Sequence, residues 1–246
     1  MSELVIVVTG ATDGIGKETA RALLATGAHV IVHGRNKPRV DAAVAALTAA
    51  VPAGRVEGIS FDLGSMTAVR NGAAALLARL PRIDVLINNA GIFANERTVT
   101  ADKMETTFAV NHAAPWLLTE LLLPRILAAP RPTVIDVASI AHGRGRIHLD
   151  DLSLAANFTG YAAYAQSKLA NVMHAIDLAA AYPTLHAFSL HPGVIGTKLL
   201  REGFGPVRGA DTATGARTSI GLTTGELDGP SGSYFSDGVV TPCAAS

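Results

Sequence analysis

The stretch Thr9-Gly10-Ala11-Thr12-Asp13-Gly14-Ile15-Gly16 follows directly on an apolar run that begins at Leu4. The apolar run predicts a buried strand, and the Ala-rich sequence after the glycines predicts a helix. Gly10 permits a tight turn, Gly14 lets the backbone approach a pyrophosphate, and Gly16 allows the helix to pack closely on the strand. Because a helix N-terminus offers unpaired N–H groups and partial positive charge, this turn predicts a dinucleotide-binding site.

The same alternation of apolar runs and helix-forming stretches continues along the chain. Further buried strands are predicted to begin at His29, Arg55, Asp84, Thr133, Leu185 and Gly232. Helices are predicted over 15–26, 38–50, 65–80, 101–127 with an interruption near Pro115, and 161–182, with a short one near Ala210. Continuous Val, Ile and Leu runs separated by helices are typical of a parallel sheet covered on both faces. Residues 1–246 are therefore predicted to form a single α/β domain, a doubly wound Rossmann fold with about seven strands.

The composition excludes several classes of partner. Lys and Arg together number 20, as do Asp and Glu, so the zero net charge gives no reason to expect nucleic acid or an anionic membrane. One cysteine, Cys243, permits no intramolecular disulfide, which suits a reducing compartment. The N-terminus lacks the basic region and cleavage site of a signal peptide, and the apolar stretches are shorter than a membrane span of about 20 residues. No metal-ligand spacing of Cys and His occurs, so we expect a cytoplasmic protein without metal.

The end of the second predicted strand separates NAD from NADP as the expected cofactor. An acidic residue there would bind the ribose 2′-hydroxyl and repel a 2′-phosphate. This chain has Gly34-Arg35-Asn36, and the planar guanidinium of Arg35 can pair with a phosphate. Asp13, in the loop near the ribose, opposes a phosphate without reversing the preference. The sequence therefore predicts NADP(H).

Tyr164 and Lys168 form the sharpest chemical motif, Tyr164-Ala165-Gln166-Ser167-Lys168. Four residues apart on a predicted helix, the two side chains lie on the same face, one turn apart. A free tyrosine has a pKa of about 10, and a neighbouring ammonium is expected to lower it towards a useful value. Such a pair on its own is usually only part of a helix face, and it gains weight from the phosphate loop upstream.

Polar residues at two strand ends support the same site. In a parallel sheet, side chains at the carboxyl ends of strands face the ligand crevice. The fifth strand ends at Ser139, whose hydroxyl can hydrogen-bond a substrate carbonyl, and the fourth ends in the sequence NNAG, residues 88–91. Asn111 falls in the middle of a predicted helix, where asparagine is disfavoured, which points to a specific role.

Together these segments resemble the short-chain dehydrogenase/reductase family over nearly the whole chain. The matching elements, in the family's order and approximate spacing, are TGATDGIG, Asp62, NNAG, Asn111, Ser139, YAQSK and Pro192-Gly193 through Thr197. The resemblance implies a catalytic tetrad of Asn111, Ser139, Tyr164 and Lys168. Tyr164 would be the general acid for carbonyl reduction and the base for alcohol oxidation, and Ser139 would polarise the carbonyl. Lys168 would hold the nicotinamide ribose and tune Tyr164, and Asn111 would anchor a water that connects Lys168 to solvent.

The resemblance also implies which residues bind the cofactor. Asp62 would meet the adenine edge, and Pro192-Gly193 and Thr197 would hold the nicotinamide carboxamide. The full implied set is Gly10, Thr12, Asp13, Gly14, Ile15, Gly16, Arg35, Asn36, Asp62, Leu63, Asn89, Ala90, Gly91, Tyr164, Lys168, Pro192, Gly193, Ile195 and Thr197.

A narrower likeness links the chain to one branch of that family. The segments GIGKETA, GRIH, QSKLAN, HPG and GSYFSD resemble retinol dehydrogenases, the WW-domain oxidoreductase and protochlorophyllide reductase. We expect the chain to depart from that branch in having no membrane anchor and in its short region after Thr197. An apolar carbonyl or alcohol is the expected substrate, with Leu199, Leu200 and Phe204 lining a small lid.

Three alternatives remain open at this point. A non-catalytic NADP-binding regulator of the same fold would not need a tyrosine activated by a lysine. An NAD-dependent alcohol dehydrogenase is opposed by Arg35. His142 and His148 suggest a metal site or second base, although plain loop histidines are the preferred interpretation.

Because helix 161–182 is apolar nearly all round, we expect a homodimer or homotetramer, or else a monomer whose loop after Ser139 covers that helix.

Overall fold

One sheet contains all eight strands of the computed structural model, which describes residues 3–245. The strands are β1 (Val5–Val8), β2 (His29–Gly34), β3 (Arg55–Ser60), β4 (Val85–Asn88), β5 (Thr133–Val137), β6 (His186–His191), β7 (Tyr234–Ser236) and β8 (Val239–Val240). Their order is β3-β2-β1-β4-β5-β6-β7-β8, with β1 to β7 parallel and β8 antiparallel to β7. The order reverses at β1, which pairs with both β2 and β4, and such a switch point opens a crevice at the carboxyl ends of the strands.

Eight α-helices connect these strands within residues 3–245. They are α1 (Gly14–Ala25), α2 (Lys37–Ala50), α3 (Met66–Arg79), α4 (Thr106–Phe108), α5 (Ala114–Ile126), α6 (Gly160–Ala181), α7 (Lys198–Phe204) and α8 (Thr212–Thr224). Short polar side chains determine where most of them begin. Ser65, Thr159 and Asp211, for example, each accept a hydrogen bond from a free backbone N–H of the first turn that follows.

Two hydrophobic cores lie on opposite faces of the sheet, as the continuous apolar strands predict. On β1, Val7 packs into one core with helices α3 and α5, whereas Ile6 and Val8 point into the other core with α1 and α8. Successive strand residues face opposite sides, so a strand buried on both faces needs apolar residues throughout. The doubly wound α/β prediction is therefore confirmed.

The helix predicted over 101–127 begins later than expected and is not continuous. It starts at Thr106 because the Glu105 carboxylate accepts hydrogen bonds from the backbone N–H groups of Thr107 and Phe108, both at 2.7 Å. Residues Ala109–Ala113 then form a wider π-helical turn. The interruption predicted near Pro115 is confirmed and lies just before that residue, because proline has no N–H for the preceding turn.

Two further elements differ from the sequence prediction. The expected last strand is present as β7, but Asp237 (φ 50°) and Gly238 (φ 76°) form a tight reversal after it and β8 adds an eighth strand. Two residues of positive φ are typical of the shortest hairpin turn, so the Asp-Gly pair was a signal that we missed. Helix α7 was also not predicted. No helix within residues 3–245 is both long and apolar enough to cross a membrane.

Candidate active site

A cleft of about 1580 Å³ opens at the carboxyl ends of the parallel strands. The segments that follow the strands on both sides of the switch point contribute to its walls, as the topology requires. Every cofactor-binding residue predicted from the sequence lines this cleft, and so do Ser139, Tyr164 and Lys168. Of the predicted site residues, Asn111 is fully buried behind the lining.

The glycine-rich turn is held in shape by the NNAG segment. Gly10 has φ +63°, and a Cβ at this position would lie 2.8 Å from the Cα of Ala90. Asn89 Nδ2 donates to the carbonyl of Thr9 at 2.8 Å, and Thr9 Oγ1 accepts from the N–H groups of Asn89 and Ala90 at 3.0 Å. The Asn89 side chain therefore stabilises the turn. The turn and residues 89–91 of the NNAG segment line the cleft. Thr9 was not predicted as a site residue.

The N-terminus of α1 points into the cleft at this turn. Asp13 caps the helix by accepting from Gly14 N–H at 2.8 Å, and its carboxylate also lies 3.7 Å from the guanidinium of Arg39. A Cβ placed on Gly14 would lie 3.6 Å from Thr197 Cγ2, so the predicted carboxamide-binding region adjoins the predicted phosphate loop. Partial positive charge and free N–H groups at this end suit phosphate binding.

Arg35 and Arg39 border the far end of the cleft. Arg35 is exposed at the end of β2, while the predicted neighbour Asn36 caps α2 by accepting from Arg39 N–H at 3.3 Å. Arg39 was not predicted as a site residue. Its position in the first turn of α2, soon after Arg35, was the sequence signal that could have identified it. Because its guanidinium pairs with Asp13, the one acidic group that opposed a phosphate here is partly neutralised.

The floor of the same end is formed by Asp62, Leu63 and a buried histidine. Asp62 accepts from Gly64 N–H at 2.8 Å in the turn after β3, and Leu63 is buried beside it. His33 lies between the two ends: its Nε2 is 3.0 Å from the carbonyl of Phe61 and its Nδ1 accepts from Gly10 N–H at 3.4 Å. Burial lowers the pKa of His33 to about 4, so the ring is neutral and ties β2 to the phosphate loop. Sequence reasoning did not identify this residue.

Ser139 and Tyr164 meet at the centre of the cleft. Both side chains are buried, and Ser139 Oγ accepts a hydrogen bond from Ala141 N–H at 3.2 Å. Burial raises the pKa of Tyr164 to about 12, and the nearby Ser139 hydroxyl acts in the opposite direction. The protein groups alone therefore do not lower the pKa of Tyr164, contrary to the expectation from the Tyr-Lys spacing. Desolvation disfavours the phenolate and outweighs the opposing effect of Ser139 on the pKa.

Lys168 is directed away from the phenol hydroxyl. Its Nζ donates to the carbonyl of Val137 at 2.7 Å and lies 5.6 Å from the centroid of the Tyr164 ring. Burial lowers the pKa of Lys168 to about 8, and the charge of Asp136 opposes that decrease. The ammonium thus lies on the same helix face as Tyr164, as the spacing predicted, but its closest partner is the backbone of β5.

Asn111 supports the cleft from behind. It lies in the π-helical turn, where its Nδ2 donates to the carbonyl of Ile92 and to Ser167 Oγ, both at 3.0 Å, and its Oδ1 accepts from Ile92 N–H at 2.8 Å. The segment after NNAG is thereby fixed to α6 next to Lys168. These bonds explain why an asparagine occupies this helical position.

An aromatic group borders the opening beside Tyr164. The ring of Phe93 lies 5.4 Å from that of Tyr164 and 5.1 Å from that of Phe204, and Phe204 is also 6.3 Å from Tyr161. Leu199 and Leu200 of α7 line the same wall, as expected for a lid. Phe93 and Tyr161 were not predicted, because their positions relative to Tyr164 depend on how distant loops fold.

The remaining predicted cofactor-binding residues follow β6. Pro192, Gly193 and Ile195 line the cleft there.

The two histidines that follow Ser139 in the chain differ in their surroundings. His142 is buried, with Nδ1 2.7 Å from the carbonyl of Ser139, whereas His148 is exposed. Within residues 3–245 no group of three or more His, Cys, Asp or Glu residues is arranged to hold a metal ion.

Comparison with known proteins places this cleft in a family context. A family model described as short chain dehydrogenase matches residues 4–204. Retinol dehydrogenase 12 of Homo sapiens is 36% identical over 246 residues, which cover 95% of this chain and 77% of that protein. Among solved structures, an uncharacterized protein from Mycobacterium paratuberculosis has a TM-score of 0.78 at 34% identity, covering 96% of this chain and 81% of its own. A short-chain dehydrogenase of Escherichia coli CFT073, complexed with NADPH, has a TM-score of 0.79 at 23% identity, covering 96% and 97%, which shows a shared fold.

Proposed function

Because the chain belongs to the short-chain dehydrogenase/reductase family, in its retinol dehydrogenase branch, we propose that it is an NADP(H)-dependent oxidoreductase of an apolar carbonyl or alcohol. Membership of the family rests on the match over residues 4–204 and on the relatives. The choice of cofactor, the site residues and the substrate class are our inference from the cleft. We also propose that residues 1–246 act as one cofactor-binding domain, and a cytoplasmic location stays a prediction from the sequence.

The residues present fit a nicotinamide dinucleotide. The Gly10 turn leaves no room for a side chain, and the α1 N-terminus that follows it faces the cleft. Gly10 to Gly16 would hold the pyrophosphate, Asp62 and Leu63 the adenine, and Pro192 to Thr197 the carboxamide. When bound, the nicotinamide supplies or accepts the hydride.

The preference for NADP(H) over NAD(H) is supported by charge at the end of β2. Arg35 and Arg39 both border this part of the cleft, and no acidic side chain follows β2 directly. Guanidinium groups pair with phosphate through two parallel hydrogen bonds. The Asp13 carboxylate, which would repel a 2′-phosphate, is already paired with Arg39.

The chemistry at the centre of the cleft would be carried out by three side chains. We assign Tyr164 as the proton donor in carbonyl reduction and the acceptor in alcohol oxidation, at its hydroxyl. Ser139, which lines the same cleft, would hold the substrate oxygen and polarise the carbonyl. Lys168 would bind the nicotinamide ribose and bring positive charge towards Tyr164, and Asn111 would anchor a water on the path from Lys168 to solvent.

The substrate class is inferred from the opening of the cleft. Phe93, Tyr161 and Phe204 surround the Tyr164 ring, and Ile140, Val194 and Val207 are exposed apolar residues along the same cleft. Apolar surface of this kind binds hydrocarbon and aromatic groups through the hydrophobic effect. We therefore expect a carbonyl or alcohol carried on a largely apolar molecule.

The placement of Ser139, Tyr164 and Lys168 together in the lining of one cleft is the single observation that carries this function. The test is a panel of apolar carbonyls and alcohols with NADPH or NADP+, followed by absorbance of the reduced nicotinamide. We expect turnover with at least one aromatic or long-chain carbonyl and faster turnover with NADPH than with NADH. Tight NADPH binding by calorimetry without turnover of any panel member would instead favour the non-catalytic regulator.

We further propose that the protein forms a homodimer or homotetramer through α5 and α6. Trp116 on α5 is 48% exposed and Met173 on α6 is 40% exposed, which is unusual for large apolar side chains on helices. Light scattering is expected to give a multiple of the 25.3 kDa chain mass. A mass of one chain at micromolar concentration would contradict this proposal and favour a monomer covered by its loop after Ser139.

A further inference from the structure

Asp136 is a fully buried carboxylate in the middle of β5. Both of its oxygens have close partners: Oδ1 accepts from Asn88 Nδ2 at 2.8 Å, and Oδ2 lies 2.8 Å from His174 Nδ1. A buried charge is costly unless it is paired and hydrogen-bonded, and a strand position otherwise occupied by Val and Ile does not need one. The reaction described above gives this carboxylate no role.

A neutral polar network holds the carboxylate in place. Asn88 Nδ2 also donates to Thr119 Oγ1 at 3.1 Å, and Thr119 donates in turn to the carbonyl of Pro115 at 2.8 Å. On the other side, Asn171 Oδ1 lies 3.2 Å from Nδ1 of His112 in the π-helical turn. The orientation of Asp136 is thus fixed by Asn88 of β4 and His174 of α6, and Thr119 of α5 holds Asn88 in turn.

The adjacent residue links this network to the proposed site. Val137 follows Asp136 on β5, and its carbonyl accepts the hydrogen bond from Lys168 Nζ at 2.7 Å. That carbonyl gives the ammonium a partner but no counter-charge. Burial lowers the pKa of Lys168, and Asp136 is the group whose charge raises it. A buried lysine without such a charge loses its proton readily.

We propose that Asp136 is a positioning residue for Lys168: its buried carboxylate precedes by one residue the carbonyl that binds the Lys168 ammonium, and its charge favours that ammonium. This proposal rests on the function proposed above, because it gives Lys168 its purpose. Asp136 touches neither the expected substrate nor the expected cofactor. It acts by stabilising the charged form of Lys168, which can then bind the ribose and place positive charge near Tyr164.

His174 adjusts the strength of this effect. Burial alone would lower the pKa of His174, but the charge and hydrogen bond of Asp136, with smaller contributions from Glu120 and Asp177, raise it. His112, which faces His174 with 6.2 Å between ring centroids, has a pKa lowered by burial to about 4 and is neutral near pH 7. When His174 is protonated it offsets the carboxylate charge, and when it is neutral Asp136 acts fully on Lys168.

The test is a direct titration of Lys168 in the unliganded chain. The sequence has five lysines, at positions 17, 37, 103, 168 and 198, so NMR of 13Cε-labelled lysine resolves few signals, and Lys168→Met identifies the one required. Asp136→Asn removes the charge while keeping hydrogen-bonding groups, and we expect Lys168 to titrate about one pH unit lower. An unchanged or higher titration would overturn the proposal. Because this measurement needs no turnover, its result is independent of whether the protein reduces carbonyls.

A second route covers the possibility that Asp136→Asn does not fold. The double variant Asp136→Val with His174→Phe replaces the buried pair by apolar groups, which proteins often tolerate. Lys168 is again expected to titrate lower than in the unaltered protein, and an unchanged value would contradict the proposal. Thr119→Val is the matched control: it removes a neutral member of the network and keeps Asp136 paired with His174, so the titration of Lys168 must stay unchanged.

Discussion

The ring of Phe204 lies nearly perpendicular to that of Tyr164, with 5.8 Å between the two centroids. Phe204 is the last residue of α7, and it also contacts Phe93 on the other side of the opening. The phenol that we assign as the proton donor is therefore flanked by a side chain from the predicted lid. We therefore expect a substrate whose carbonyl reaches the Tyr164 hydroxyl to contact Phe204.

Replacing Phe204 by alanine is expected to weaken substrate binding without affecting the cofactor. An aromatic contact of this geometry contributes about 0.5–1.5 kcal/mol beyond the area that it buries, so kcat/KM for an aromatic carbonyl should fall roughly tenfold. NADPH affinity, measured by fluorescence titration, should stay the same. Val239→Ala, at an exposed apolar position on β8, is the control and should change neither quantity. Unaltered kcat/KM in Phe204→Ala would exclude this wall as the substrate site.

Substituting Tyr164 by phenylalanine removes the proton donor but keeps the ring and its packing. General acid–base groups typically contribute about 10²–10⁴-fold, and we expect kcat to fall by a factor in that range while NADPH still binds. The matched control is Tyr161→Phe, because Tyr161 lines the same cleft but has no assigned chemical role. If Tyr164→Phe kept most of its turnover with a reactive carbonyl, the assignment of Tyr164 would be wrong.

The parts of the site predicted from the sequence are those that depend on local spacing and on the order of strands. Ser139 ends one strand, and Tyr164 and Lys168 share a helix face, so a parallel sheet brings them to one crevice without further information. The glycine-rich turn was recognisable because strand, glycines and helix are adjacent in the chain. The fold prediction depended on the same local signals, and the structure confirmed it.

The parts that escaped prediction depend on contacts between distant segments. Phe93 meets Tyr164 only after the loop beyond β4 has folded against α6, and no local pattern reports this. The bond of Asp136 to His174 requires the register of β5 against α6. The Tyr164 pKa was misjudged for a related reason, because the depth of burial of a side chain cannot be read from the spacing of two residues.

Cofactor preference provides the third prediction. Arg35→Asp places a carboxylate at the end of β2, where it can accept from a ribose 2′-hydroxyl and repels a 2′-phosphate. Loss of a charge-assisted hydrogen bond of about 1.5–3 kcal/mol should weaken NADPH binding roughly 10- to 100-fold, whereas NADH binding should improve. Calorimetric titration with each nucleotide measures both changes. Equal affinities for NADPH and NADH in the unaltered protein would remove the basis for this prediction.

The neutral His33 predicts how stability depends on pH. The folded-state pKa is lowered from 6.5 to about 4, so between these values the unfolded chain takes up a proton that the folded protein does not. The stabilisation is therefore fully present above pH 6.5 and is lost as the pH falls towards 4. At about 1.4 kcal/mol for each unit, the loss from His33 reaches about 3 kcal/mol, and the buried His112 adds a similar loss.

The variant His33→Gln tests this linkage because it keeps a hydrogen-bond donor and acceptor but cannot titrate. It is expected to be less stable than the unaltered protein at pH 7, where the ring packs well between Gly10 and Phe61. Between pH 7 and 4.5, however, its free energy of unfolding in urea should fall by about 2–3 kcal/mol less. His148→Gln, at an exposed position, should retain the full pH dependence. If His33→Gln lost as much stability on acidification as the unaltered protein, His33 would not be a neutral link between β2, the glycine-rich turn and Phe61.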